Sequence, residues 1–138
     1  MNTKGQSLGI TPQLLLDVFD MPISFHRCLV PLTGGVTAAL MLSQAICTAQ
    51  ELDPQAGGWF LKSQEEWTEE TGLTRWEQET ARRALREAGF LMERRAGMPA
   101  RLWYRVCSRE VWEALKAQAV RNAALSASQR ASGADHDA

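Results

Sequence analysis

The chain has 138 residues, a formal net charge of −1, and 45% hydrophobic and 22% charged side chains, the composition of an ordinary soluble globule with room for one core. No run of about eighteen apolar residues occurs, so no membrane-spanning helix is expected, and MNTKGQSLGITPQ lacks the basic start and apolar block of a signal peptide. Cys28, Cys47 and Cys107 stand far apart without a C-x-x-C pair and read as reduced thiols of a cytoplasmic protein. With His26 and His136 they show no ligand spacing, so neither a metal nor a cofactor is expected.

Residues 1–10 read as a disordered tail. Thr11-Pro12 then opens a short helix, with Leu14, Leu15, Val18 and Phe19 on its oily side and Asp20-Met21-Pro22 as its stop. Ile23 to Pro31 alternates roughly enough for a short strand or extended arm. Thr33 is the next N-cap candidate, opening a largely buried helix from Gly34 to about Glu51. Asp53-Pro54-Gln55-Ala56-Gly57-Gly58 is turn chemistry, followed by a very short strand, Trp59–Lys62. Ser63 with Glu66, and Thr74 with Glu77, each fit a capping box, in which a hydroxyl takes an orphan helix N–H and the glutamate reaches back. Gly72 and Gly89 close the two helices in left-handed caps. Phe90–Arg95 and Arg101–Val106 alternate as strands of a hairpin. Ser108 caps a final helix with Val111, Trp112, Leu115 and Ala119 on one side, and residues 126–138, SASQRASGADHDA, read as a disordered tail.

This order is mainly α with a small β-hairpin, a winged helix-turn-helix occupying residues 11–125 with flanking helices at both ends. At about 100° per residue, Ala81, Leu85 and Ala88, with Gln78 beside them, form the inward side of the second capped helix. Trp76, Glu79, Thr80 and Arg83 fall opposite, with Arg75 and Arg86 on the flank. The hairpin adds Arg94, Arg95, Arg101 and Arg105. From Arg75 to Arg105 eight arginines stand against four glutamates, a balance of +4, whereas Glu51–Gly72 carries −5. A near-neutral total thus hides a segregated basic surface, which is what phosphate contact needs.

The chemistry points to double-stranded DNA. Helix 75–88 would enter the major groove, with hairpin 90–106 as wing and Thr74, Arg75, Trp76, Glu79, Thr80, Arg83, Arg86, Arg94, Arg95 and Arg101 as contacts. Arginine pairs two-pronged with guanine edges, the threonine methyl can touch a thymine methyl, and Glu79 would accept from cytosine or hold Arg83. Trp76 would stack on a base or sugar, pack on a neighbouring subunit, or fold back on the hairpin. Trp59, Trp67, Trp103 and Trp112 read as core or wing-packing residues rather than base platforms. His26 reads as a surface strand residue, and no nucleophile with a partner base suggests an enzyme. A single module makes few contacts, so a homodimer through Leu14, Leu15, Val18, Phe19, Trp112 and Leu115 is expected.

The runs PISFHRCLVPLTGGVTAALMLSQAI and GGWFLKSQEEWTEETGLTRWEQETARRALREAGFLMERRAGMPARLWYRV resemble winged-helix modules of phage and plasmid replication proteins. These include replisome organisers and the N-terminal domains of primosomal initiators, and similar modules recur among mobile-element regulators. The most specific part is K-S-x-x-E-W-x-x-E-T-G-L-T-R-x-E-Q-E-T-A-R, from Lys62 to Arg82. The resemblance implies a helix from Arg75 that reads DNA and a hairpin that serves as wing. Such replication proteins continue into a second domain for helicase or primase, whereas this chain adds one helix, which implies a stand-alone regulator or a module that has lost its replication role. The rival expectation is a protein-interaction module, an inhibitor or adaptor of host defence or polymerase machinery. In it, Trp76 and the acidic helix around Glu66–Glu70 would face a partner.

Overall fold

A computed structural model of the chain describes residues 9–137; the first eight positions of the predicted N-terminal tail lie outside them. The helices are α1 (Pro12–Val18), α2 (Val30–Thr33), α3 (Val36–Gln50), α4 (Gln64–Thr71), α5 (Arg75–Ala88) and α6 (Ser108–Asp137). The strands are β1 (Trp59–Leu61), β2 (Leu91–Ala96) and β3 (Arg101–Val106), with single 3-10 turns at Arg27–Leu29 and Pro54–Ala56.

α3 is the central rod. Ala38, Ala39, Met41, Leu42 and Ala45 are buried along it, and the three alanines let neighbouring backbones approach closely. Ala81 and Leu85 of α5 and Phe90 and Leu91 beyond it belong to the same cluster, as does Leu73 in the turn between α4 and α5. A second part of the core is aromatic. Trp67 of α4 meets Tyr104 of β3 edge-on at 5.4 Å between ring centroids, and Phe60 of β1 stacks on Tyr104 at 5.8 Å. The consecutive elements β1 and α4 are thereby joined to β3, far along the chain.

The sheet is antiparallel in the order β1-β3-β2. Phe60 opposes Tyr104 and Tyr104 opposes Glu93, so these residues share the inner face, turned toward the helices. Trp59, Leu61, Met92, Arg94, Trp103 and Arg105 take the outer face. Both capping boxes form, at Ser63/Glu66 and Thr74/Glu77. Gly72 ends α4 at φ +76°, a left-handed conformation that a side chain would strain, and only two more residues precede Arg75. Gln78 locks this turn from beneath. Its side-chain nitrogen donates to the Thr68 hydroxyl at 2.9 Å and to the Leu73 and Gln64 carbonyls at 3.1 and 3.2 Å. The fold is a winged helix-turn-helix.

Four expectations change. Ile23–Pro31 forms no strand; Pro31 sits in the first turn of α2, where its missing N–H costs nothing, and exposed His26 lies in the connection before it, its backbone N–H donating to the Ser43 hydroxyl. Thr33 does not open α3. Its hydroxyl donates back to the Leu29 carbonyl at 2.8 Å, Gly34 closes α2, and Gly35 is the N-cap of α3. Ala88, the last residue of α5, is exposed rather than inward. The last helix runs to Asp137 instead of giving way to a disordered tail at 126. No proline interrupts it, and its serines and Gly133 weaken a helix by tenths to about 1 kcal/mol each without removing a backbone bond.

Lys62, which reads in sequence as the end of the short first strand, is buried in the fold. It is 5% exposed, pairs with Glu70 at 2.5 Å, donates to Thr48 at 2.7 Å, and lies 4.6 Å from the Trp67 ring. It fastens β1 to α3 and α4.

Replacing Gln78 with Ala removes the donor shared by the buried Leu73 carbonyl and the half-buried Thr68 hydroxyl and Gln64 carbonyl. We expect a loss of about 1–3 kcal/mol, read as a lower midpoint in urea at unchanged slope.

Candidate nucleic-acid interface

α5 begins in a fixed geometry. The Thr74 hydroxyl accepts from the Glu77 N–H at 3.2 Å, and the Glu77 carboxylate accepts from the Thr74 N–H at 2.9 Å. These bonds, the backbone one foremost, hold the Glu77 carboxyl below the ordinary range. From that start Thr74, Arg75, Trp76, Thr80 and Arg83 are exposed, Trp76 at 77%, and Glu79 is half-covered. The i,i+4 pair of Glu79 with Arg83 is not formed. Among the described residues, neither Arg75 nor Arg83 has a carboxylate within ion-pair distance.

The flank of the helix is committed otherwise. Arg82 Nε lies 2.7 Å and its terminal nitrogen 3.2 Å from the two Glu93 oxygens, a forked pair, and Arg86 meets the same carboxylate at 2.7 Å. Burial pushes the Glu93 carboxyl up, but the bonds from Arg82 and then Arg86 outweigh it and hold it below the usual range. Glu93 thus ties α5 to β2. The prediction of Arg86 as a DNA contact meets a competitor here, since its charge is shared with Glu93 although its side chain stays nearly half exposed.

Strand alternation divides the wing arginines. Arg95 is on the inner face with Glu93, opening on a cleft of about 510 Å³ whose walls include Ser63, Glu66, Arg82 and Tyr104. Arg94 is on the outer face, away from α5, its guanidinium 4.6 Å over the Trp59 ring. The sequence grouped Arg94 with Arg95 by proximity, and the two-residue period of a strand separates them. Arg101, at the end of β3, borders both the inner cleft and a cavity on the outer face. The surface built by α5 and the inner wing therefore unites Thr74, Arg75, Trp76, Thr80, Arg83, Arg95 and Arg101, with Glu79 behind them. Glu65 and Glu69 of α4 border a shallow hollow with Arg75, which tempers the positive field at that end.

The predicted dimer residues fall in two places. α1 buries no residue: Leu14, Leu15, Val18 and Phe19 are all exposed. Trp112 is 60% exposed, while Leu115 is half-buried against the core and belongs to the root of α6. That root is held by the Gln118 side chain, which donates to the Cys28 carbonyl at 3.1 Å.

Among the described residues no three of His, Cys, Asp and Glu gather as a metal site, and no single helix is long and apolar enough to cross a membrane. The three cysteines are free thiols, and burial pushes that of Cys107 up.

No family model matches the chain, and no curated protein matches it. A solved structure described as an N-terminal domain of a DNA binding protein is similar over 79% of this chain and 93% of its own length, at 15% identity and a TM-score of 0.40.

The depressed Glu93 carboxyl sets a pH dependence. Its stabilisation is complete above the unfolded glutamate value of about 4.3 and is lost as pH falls through the lower folded value. Glu93→Gln is expected to cost about 2 kcal/mol at neutral pH, and melting curves of the two proteins should converge only once pH has fallen below the lowered folded value of Glu93.

Proposed function

We propose that the chain is a DNA-binding protein of the cytoplasm that regulates transcription or replication of a mobile element or its bacterial host. α5 lies in the major groove of duplex DNA and the β2–β3 hairpin grips the backbone beside it. One observation carries this reading: Thr74, Arg75, Thr80 and Arg83 form an open stripe on α5 whose two guanidiniums are unpaired, while their neighbours Arg82 and Arg86 are used to fix the wing. Unpaired forked donors suit guanine edges and phosphates, and Arg75 adds its own to the free N–H groups at the helix start. The replication and mobile-element role is supported by the resemblance of the Lys62–Arg82 pattern. The double substitution Arg75→Ala with Arg83→Ala is expected to weaken duplex binding more than about tenfold, two lost contacts at 1 kcal/mol or more each, with little change in melting temperature. Equal binding by the double variant removes α5 from the interface.

A second reading has its own support. Trp76 stands exposed on the same stripe, and Glu65 and Glu69 of α4 lie beside Arg75, a mixture that fits a protein surface. Retention on random duplex DNA across a salt series separates the two. A steep loss with salt supports DNA, and no retention at low salt supports the protein partner.

We also propose that the partner of α1 is a second copy of the chain. A seven-residue helix with no buried side chain is too short to hold itself in water, and its apolar residues need a cover. The exposed flank of α6, with Trp112 and Val120, supplies apolar surface of the same kind. Leu15→Glu with Val18→Glu should convert a dimer to a monomer by light scattering, leaving the core melting transition in place. A wild-type mass of one chain at high concentration rules the dimer out.

A further inference from the structure

The outer face of the sheet differs in chemistry from the inner one. The outward positions of its three strands hold Arg94, Arg101 and Arg105, Trp59 and Trp103, and no carboxylate. Among the described residues none of these arginines has an acidic partner. The two tryptophans are half-buried and stand diagonally on neighbouring strands, about 7–8 Å apart by sheet geometry. Between them and the hairpin tip lies a cavity of about 470 Å³ lined by both rings, Leu61, Arg94 and Arg101. The Arg94 guanidinium already lies 4.6 Å over the Trp59 ring, so one face of that ring is open to a cation beside the cavity.

Arg105 is also placed rather than loose. A β-carbon at Gly58 would come within 3.3 Å of its Nε, and Gly58 sits at φ +83°, where a side chain would be strained in any case. The absent side chain leaves room for the arginine along the backbone beside Trp59.

We propose that this outer face binds the unpaired nucleotides of single-stranded DNA, with bases stacking on Trp103 and Trp59 and phosphates meeting Arg94, Arg101 and Arg105. Flat rings interleaved with unpaired guanidiniums match a ligand that alternates flat bases with anions. An acidic protein partner would also meet the charge, but nothing acidic on this face offers the mixed pairing of a protein interface. Arg101 stands on the rim between the two surfaces, but Arg94, Arg105, Trp59 and Trp103 belong to the outer face and Arg75 and Arg83 to α5, so variants at these residues test the two readings separately.

The test titrates an oligothymidine of about twelve nucleotides, within the usual site size, into the full chain while following tryptophan fluorescence. Saturable quenching is expected, with a salt slope near −2 for three phosphate contacts to a single strand. Trp103→Ala should weaken binding about tenfold. Arg105→Glu, an exposed change that spares the core, should weaken it as well and keeps the test decisive if Trp103→Ala unfolds. Arg75→Ala with Arg83→Ala should leave it unchanged. The proposal is overturned by the absence of saturable quenching, by full binding in Arg105→Glu, or by binding that disappears with the α5 variant instead. An acidic protein partner on this face would give the first of these results.

Discussion

One carboxylate sets the relation between the two halves of the basic surface. Glu93 receives Arg82 through both its oxygens and Arg86 through one, and it does so from the inner face of β2 across to the flank of α5. Without it, two guanidiniums would repel each other beside a hairpin that only its base fastens to the core. With it, helix and wing move as one body. The cost of half-burying that charge is met by the hydrogen bonds, as the lowered Glu93 carboxyl shows. The arrangement also sorts the arginines of α5 into two that hold the fold and two that remain available.

Behind this clamp the architecture rests on a division of labour in the core. Small side chains on α3 let α5 settle against it, while Phe60, Trp67 and Tyr104 fill the thicker space under the sheet. Lys62 joins the two regions by reaching Thr48 and Glu70 over the Trp67 ring. A buried ammonium with two polar partners and an aromatic face is well matched, and its loss would remove the link that ties Thr48 of α3 to Glu70 of α4.

Local chemistry was readable where it is written in adjacent residues. Ser63/Glu66 and Thr74/Glu77 define helix starts by themselves, Gly72 and Gly89 define helix ends, and the hairpin follows from strand alternation around Gly97 and Pro99. What depends on partners distant in sequence was not readable. Nothing near Glu93 announces that it will bind Arg82, eleven residues earlier, and nothing near Lys62 announces Thr48. Arg94 and Arg95 are neighbours in sequence and lie on opposite faces of the sheet, a separation that appears only once the register with β3 is known. Thr33 misled for a related reason: a hydroxyl before a glycine pair can cap the helix ahead or close the one behind, and the choice falls to Leu29, which supplies the acceptor. The outer side of α5, with Trp76, Thr80 and Arg83, read correctly as exposed, because a helix period needs no knowledge of the rest of the chain.

The length of α6 carries a geometric consequence. Thirty residues at a rise of about 1.5 Å make a rod of about 45 Å, longer than one turn of duplex DNA at about 34 Å. From Ala119 through Gly133 every side chain faces solvent, so the fold itself is indifferent to what stands there. Anything seated on that stretch is not indifferent. Each residue gained or lost between Gln118 and such a cargo swings it about 100° around the axis and shifts it about 1.5 Å along. A segment free of packing demands is then held to a phase, like teeth on a shaft, and its tolerance of insertions would be narrower than its exposure suggests.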